Sequence, residues 1–275
     1  VVDVVTTVAD LRSVLADLKP ARIGMVPTMG ALHDGHVSLV REARRHADHV
    51  VVSIFVNPTQ FAPHEDFDAY PRTLDADLAK LRDAAAIVFA PNAREMYPQG
   101  HATAITVGGP SAGLETDFRP HFFAGVATVV AKLLIAAMPD IAGFGEKDYQ
   151  QLQVVRQMVR DLALPVQIIG APTLREADGL AMSSRNAYLS ADERKVAAEL
   201  NRILKNTIAD AGNGDLRAAE AAAESALVAA GFDSVDYVAI RDAESLSVIE
   251  RLDRPARILA AAKIGKTRLI DNMAV

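Results

Sequence analysis

The sequence predicts an α/β protein with a Rossmann-like, doubly wound parallel sheet followed by a smaller C-terminal α+β domain. Three observations lead there. Short β-rich runs alternate with helical patterns over residues 1–172, the rhythm of strand–helix–strand units. One of these runs, Val50-Val51-Val52-Ser53-Ile54-Phe55-Val56, is apolar at almost every position, as a strand covered on both faces requires. After about Ala171 the pattern changes to alanine-rich helices and short strands, so residues 173–275 are assigned to the second domain.

The elements follow in order. Residues 22–26 read as a strand closed by Pro27, and 38–47 as a helix with Val37, Val40 and Arg41 spaced around its turns. Asn57-Pro58 stops the strand 50–56, and an irregular polar stretch runs over 59–72. Thr73 is the expected N-cap of a helix through Leu74, Leu78 and Leu81, with Asp75 and Asp77 in its first turn. Strands are expected at 87–89, 141–144 and 166–169, and helices at 125–138 and 146–162. In the second domain, helices 191–211 and 216–230 flank Gly212-Asn213-Gly214, and strands follow at 235–240, 256–261 and 267–270.

Composition narrows the function. A chain of 275 residues holds one large domain or two ordinary ones. A net charge of −6 disfavours a general nucleic-acid binder but leaves room for local cations around a small anion. With no cysteine, disulfides, thiolate metal sites and cysteine nucleophiles are excluded. The best apolar run, 125–138, is too short to span a bilayer and contains Lys132, and residues 1–8 do not read as an export signal. A cytoplasmic protein without nucleic-acid or membrane partners is expected.

Ligands on doubly wound sheets bind beyond the carboxyl ends of the strands, so the segments after Val26, Val56, Phe144 and Ile169 should share one crevice. The first, Pro27-Thr28-Met29-Gly30-Ala31-Leu32-His33-Asp34-Gly35-His36, matches neither common nucleotide loop. It is nonetheless a strand, a glycine-containing turn and a helix start, where free backbone N–H groups attract anions. Gly30 and Gly35 permit close approach, and His33 and His36 point to one side. Two imidazoles there donate to phosphate oxygens, or hold zinc with a third ligand from His64, His101, His121 or a carboxylate, or are ordinary turn residues. The strand and glycines favour phosphate.

Asn57 and Gln60 offer uncharged donors and acceptors suited to a ligand with hydroxyl and carboxylate groups, though Asn57-Pro58 alone reads as a turn. In Gly145-Glu146-Lys147-Asp148-Tyr149-Gln150-Gln151, Lys147 can neutralise phosphate and Asp148 can bind a ribose hydroxyl or a metal; in isolation the stretch reads as a solvated helix start. Ser183, Ser184 and Arg185 combine hydroxyls with a two-pronged cation. Together these segments make a triphosphate site; no single one does.

The stretches PTMGALHDGHVSLV, SIFVNPTQF, GFGEKDYQQL and DGLAMSSRN, in this order and spacing, resemble the pantothenate synthetase (pantoate–beta-alanine ligase) family over residues 23–272. Through it the chain resembles the H-x-G-H nucleotidyltransferases related to class I aminoacyl-tRNA synthetases. The resemblance implies an AMP-forming carbon–nitrogen ligase of pantothenate and coenzyme A biosynthesis. Such an enzyme condenses (R)-pantoate with beta-alanine at the expense of ATP, through a pantoyl adenylate, releasing AMP and pyrophosphate. It implies an ATP site of Met29, Gly30, Ala31, Leu32, His33, Asp34, Gly35, His36, Gly145, Glu146, Lys147, Asp148, Leu174, Met182, Ser183, Ser184 and Arg185. Within it His36 is the family's general acid and Leu174 offers a backbone contact to adenine. The groups expected to carry catalysis are His36, His33, Lys147, Ser183, Ser184 and Arg185.

Gln60 and Gln151 are implied on pantoate, with Gln60 also near beta-alanine, and Asn57 is placed beside them. Mg²⁺ is expected with ATP, held by phosphate oxygens and water, and no protein ligand is assigned. A homodimer is implied. Residues 1–172 would bind nucleotide and pantoate, and 173–275 would close over ATP. Either 59–72 or the smaller domain is expected to shield the adenylate from water. One stretch departs from the family's R-P-x-H-F-x-G-V: here Arg119-Pro120-His121-Phe122-Phe123-Ala124-Gly125-Val126 sets histidine one place earlier and Phe122 in its usual position. The rival readings are a zinc hydrolase and a non-catalytic nucleotide-binding module.

Overall fold

Apolar strands with alternate residues bound for opposite helix layers need a sheet covered on both sides, and that is what the chain forms. The computed structural model describes residues 3–63, 65, 67–84, 86–212 and 214–275, with the backbone alone at Asp83 and Ala86. His64, weighed above as a zinc ligand, Asp66 of the polar stretch and Asn213 between the two late helices lie outside the described residues.

The first sheet comprises β1 (Val4–Val5), β2 (Ile23–Thr28), β3 (His49–Ile54), β4 (Ala86–Phe89), β5 (Ile141–Gly145) and β6 (Gln167–Ala171). Its order is β1-β4-β3-β2-β5-β6, and every pair is parallel. Helices α1 (Val8–Asp17), α2 (Asp34–Arg44), α3 (Leu74–Leu81), α4 (Ala93–Met96), α5 (Glu115–Phe118), α6 (Phe122–Ala137) and α7 (Tyr149–Asp161) connect the strands. Strand β3 sends Val51 into the core under α1, α6 and α7, and Val50 and Val52 into the core under α2 and α3. This two-sided burial is why its sequence is a continuous apolar run.

Strand order reverses between β2 and β5, the switch point at which such sheets open a crevice. The two strands pair only at Gly24–Ile141 and Met25–Ala142, and beyond that each continues along its other neighbour. The strand expected to close at Pro27 therefore runs on to Thr28. Thr28 turns its carbonyl to β3, accepting from the Phe55 N–H, so Pro27 faces the side that β5 has left and its missing N–H breaks no ladder.

The smaller domain carries α8 (Ala191–Ala211), α9 (Leu216–Ala229) and an antiparallel sheet of β7 (Ser234–Asp242), β8 (Ala256–Ile264) and β9 (Thr267–Ala274), in that order. Leu200, Leu204 and Leu227 pack on Ile240, Ile258 and Ala260. Ala239 and Leu259 join the core of the first sheet instead, so the two sheets share packing. The sequence reading had not anticipated β1 and α1: β1 is two residues long and pairs only with β4, too short to show a period. Among the described residues no helix is long and apolar enough to cross a membrane.

Candidate active site

At the carboxyl ends of β2 and β5 lies a cavity of about 930 Å³, lined also by the 182–185 loop and β9. Its first wall is the histidine turn. Gly30 and Ala31 both take positive φ (83° and 49°), a conformation that costs a non-glycine residue and must be held from outside. The holder is Asp77 of α3, only 1% exposed. Its carboxylate accepts the Ala31 N–H at 3.0 Å and the Leu32 N–H at 2.7 Å. Lys80, one turn further along α3, donates to the Leu32 carbonyl. Asp77→Ala should therefore lower stability by about 1–3 kcal/mol for each stranded N–H. An unchanged urea midpoint would show that the turn holds itself.

The turn delivers His33 as the N-cap of α2 and His36 as its third helical residue. His33 Nδ1 accepts the Gly35 N–H at 3.1 Å, and His36 Nδ1 accepts the His33 N–H at 3.3 Å. This reciprocal cap starts the helix at Asp34 rather than at residue 38. A Cβ on Gly35 would meet the His33 ring at 2.8 Å, so any larger residue there would displace the capping imidazole. With both Nδ1 atoms accepting, each neutral ring carries its hydrogen on Nε2. Neither Nε2 has a partner among the described residues, and both histidines line the cavity. The ring centroids are 4.1 Å apart.

Burial, and then Lys147 and Lys80, pushes the His33 pKa down to about 4. Burial, then His33, Lys147 and Lys80, pushes His36 down to about 3. At neutral pH the free protein therefore presents two uncharged N–H donors; a bound polyanion would oppose the shift. Imidazole ¹⁵N shifts should report both Nε2–H tautomers at pH 6, with titration only below pH 5. A midpoint near 6.5 for either ring would refute this. Unfolded histidines take up protons around pH 6.5 while the folded ones resist until about 4 and 3. Their contribution to stability is thus complete above 6.5 and declines as pH falls through that window.

Opposite the histidines, the turn after β5 brings Lys147 to the cavity, 3.8 Å from Asp148. Ser183 caps a short 3₁₀ turn, Ser184–Tyr188, by accepting the Arg185 N–H at 3.2 Å. Ser184 also meets the Tyr70 hydroxyl at 3.4 Å, which ties this loop to the polar stretch 59–72. Of the residues expected at the site, Gly30, Ala31, Leu32, Asp34 and Glu146 do not reach the cavity wall, and the others do. Leu32 is buried beneath the turn, and Glu146 pairs with Arg257 at 3.0 Å.

Asn57 lines the cavity, yet its amide is occupied within the protein. It donates to Gln60 Oε1 at 3.0 Å and to the Gly125 carbonyl at 3.2 Å, and its Oδ1 accepts from the Tyr97 hydroxyl at 2.8 Å. Asn57 thus braces Gln60, whose own Nε2 has, among the described residues, only the weak acceptor Met29 Sδ, at 3.2 Å.

Sequence reasoning missed the polar chain beside Gln60. Arg119 grips Glu65 at 2.8 and 2.7 Å, donates to the Gln60 carbonyl at 3.2 Å and reaches Glu115 at 3.3 Å. Arg268 of β9 joins Glu115 at 2.7 Å. Phe122, in the position where a histidine was expected, packs its ring 3.9 Å from the Arg119 guanidinium carbon. His121 does not line the cavity, and its Nε2 is buried without a hydrogen-bond partner. The Arg119-Pro120 signal was visible, but nothing local pointed to Glu65 or Arg268. Among the described residues no three His, Asp or Glu side chains converge as a metal site, and His101 instead packs edge-on to Tyr97 at 5.0 Å.

A doubly wound parallel sheet with an imidazole-lined wall on one side of its switch point and a lysine on the other defines a Rossmann-like α/β enzyme. The model of the pantoate–beta-alanine ligase family matches residues 3–274. The chain belongs to that family and is a ligase. It is 59% identical to the pantothenate synthetase of Mesorhizobium japonicum, over 99% of this chain and 98% of that one. With that of Caulobacter vibrioides the identity is 57%, over the same shares. The crystal structure of pantothenate synthetase from Thermus thermophilus superposes with a TM-score of 0.93 at 49% identity, covering 98% of each chain. The pantoate–beta-alanine ligase of Francisella tularensis, solved with beta-gamma ATP and beta-alanine, gives 0.85 at 34% identity, covering 99% of this chain and 97% of that one.

Proposed function

We propose that this enzyme condenses (R)-pantoate with beta-alanine to give pantothenate, using ATP in two steps. The pantoate carboxylate attacks the α-phosphorus, the bond to the bridging oxygen of pyrophosphate breaks, and pantoyl adenylate forms. The beta-alanine amine then attacks the activated carbonyl carbon, loses a proton and displaces AMP. Phosphoryl chemistry of this kind needs positioning and charge stabilisation rather than a protein nucleophile.

The observation that carries the reading is the pair of outward Nε2–H donors on His33 and His36 beside Lys147. Neutral donors and one cation can follow the charge that builds on the departing pyrophosphate. Ser183, Ser184 and Arg185 close the phosphate side, Asp148 meets the ribose, and Leu174 offers its backbone to adenine. Met29, Gly35, Gly145 and Met182 complete the nucleotide wall. Gln60 and Gln151 hold pantoate, whose branched carbon suits the apolar surface of Phe123, Val126 and Val130 on α6. Mg²⁺ enters with ATP as part of the substrate. Its preference for phosphate oxygens and water suits a wall on which the Asp148 carboxylate lies beside Lys147.

The boundary near residue 172 separates this nucleotide and pantoate region from a smaller domain that closes over ATP. A cytoplasmic homodimer completes the proposal, and sedimentation at micromolar concentration reads the oligomeric state. The decisive experiment is exchange of labelled pyrophosphate into ATP. It should require pantoate and proceed without beta-alanine; exchange that is equally fast without pantoate would overturn the assignment.

A further inference from the structure

Lys147 and the Ser183–Arg185 loop follow different strands, and both line the cavity. Their spacing is held by two adjacent residues of β9, Asp271 and Asn272, which are 3% and 2% exposed. Successive strand residues project to opposite sides, so the two side chains reach two different segments.

Asn272 Nδ2 donates to the carbonyls of Glu146 at 2.9 Å and Lys147 at 2.7 Å. Its Oδ1 accepts from Arg257 Nε at 2.7 Å. Arg257 in turn pairs with Glu146 and lies 3.9 Å from the Tyr149 ring centroid. The turn bearing Lys147 is thereby fastened from behind by β8 and β9. On the other side, the Asp271 carboxylate takes both guanidinium nitrogens of Arg175, at 2.7 and 2.9 Å. Arg175 also donates to the Gly179 carbonyl at 3.0 Å and forms a β-bridge with Ala181. The Met182 N–H closes the same hairpin on the Leu174 carbonyl at 3.0 Å. This hairpin leads directly into Ser183–Arg185.

We infer that Asp271 and Asn272 are positioning residues for the ligase reaction, a strut in β9 that sets the distance between Lys147 and the Ser183–Arg185 loop. The inference rests on the reading of these two segments as the grip on ATP. Both strut residues are buried and saturated with partners inside the protein, so they act through the groups they hold.

The test is a double-mutant cycle on pantoate-dependent pyrophosphate exchange, run well below the melting temperature on variants with native circular dichroism. Asn272→Ala should lower kcat about 10- to 100-fold, the scale of a displaced reacting group. The KM for pantoate should stay within about 2-fold. In a Lys147→Ala background the same substitution should cost less than about 2-fold, because the group it positions is gone. Asp271→Asn, which keeps the side-chain shape, should behave likewise against Arg185→Ala, and it serves if Asn272→Ala does not fold. Losses that multiply in full across both cycles, or a lowered melting temperature with kcat unchanged, would overturn the strut. Lys147→Ala with undiminished exchange would instead overturn the reading of the ATP site itself.

Discussion

Replacing His36 with alanine should lower pantoate-dependent pyrophosphate exchange by about 10²- to 10³-fold, the usual cost of one oriented donor to a developing negative charge. The His36 ring is committed on one side, where Nδ1 accepts the His33 N–H, and its Nε2–H is left for ligand. Alanine removes the donor and also strands that N–H. The other half of the cap survives, because His33 Nδ1 still accepts from Gly35. Stability should therefore fall by only about 1 kcal/mol. Since the ring is neutral in the free enzyme, with its pKa pushed down to about 3, protonation of His36 should not raise exchange by the parent enzyme when the assay is acidified from pH 7 to pH 5. Exchange within roughly threefold of the parent, in a folded variant, would remove His36 from the mechanism.

Gly125→Ala should raise the KM for pantoate by about tenfold or more while leaving ATP affinity nearly unchanged. Helix α6 crosses the turn Pro58–Gln60 so closely that a Cβ on Gly125 would lie 2.5 Å from the Thr59 carbonyl oxygen and 2.8 Å from the Gln60 nitrogen. Both are backbone atoms and cannot rotate away, so either the helix or the turn must move. Overpacking of this kind costs about 1–3 kcal/mol. The displaced turn carries Gln60 and the Asn57 brace, which itself bonds the Gly125 carbonyl. His33, His36 and Lys147 stand on other elements, which is why the nucleotide should be spared. Gly108→Ala is the control: its Cβ would meet nothing within 4 Å, and it should leave both constants and the melting temperature alone. A parent-like pantoate KM in Gly125→Ala would show that the turn yields without moving Gln60.

Much of this architecture was legible locally. The continuous run in β3 and the rhythm around it announced a buried parallel sheet, and helices begin at Leu74, Ala191 and Leu216; Ser190 and Asp215 cap the last two, whereas Thr73, expected as a cap, turns its hydroxyl to the Asp77 carboxylate and makes no capping bond. Other features misled in instructive ways. Pro27 looked like a strand terminator but sits where a ladder partner has already departed. Asn57 looked like a ligand amide, yet it is saturated by Gln60, Gly125 and Tyr97. Asp77 looked like a dipole-compensating helix residue, although its carboxylate is buried under the histidine turn.

The sequence by itself determined the layered α/β fold and the short segments that meet at the sheet's switch point. Strand, turn and helix start are each encoded within about ten consecutive residues, by the hydrophobic period and by well-placed glycine, proline and capping side chains. Only the tertiary structure decided which ring nitrogens face the ligand, that both imidazoles are uncharged, and which residues hold the walls apart. Those properties arise between distant parts of the chain: Ala31 meets Asp77 across 46 positions, and Lys147 meets Asn272 across 125. Burial and local fields sum over every group packed around a site, and no stretch of sequence contains that sum.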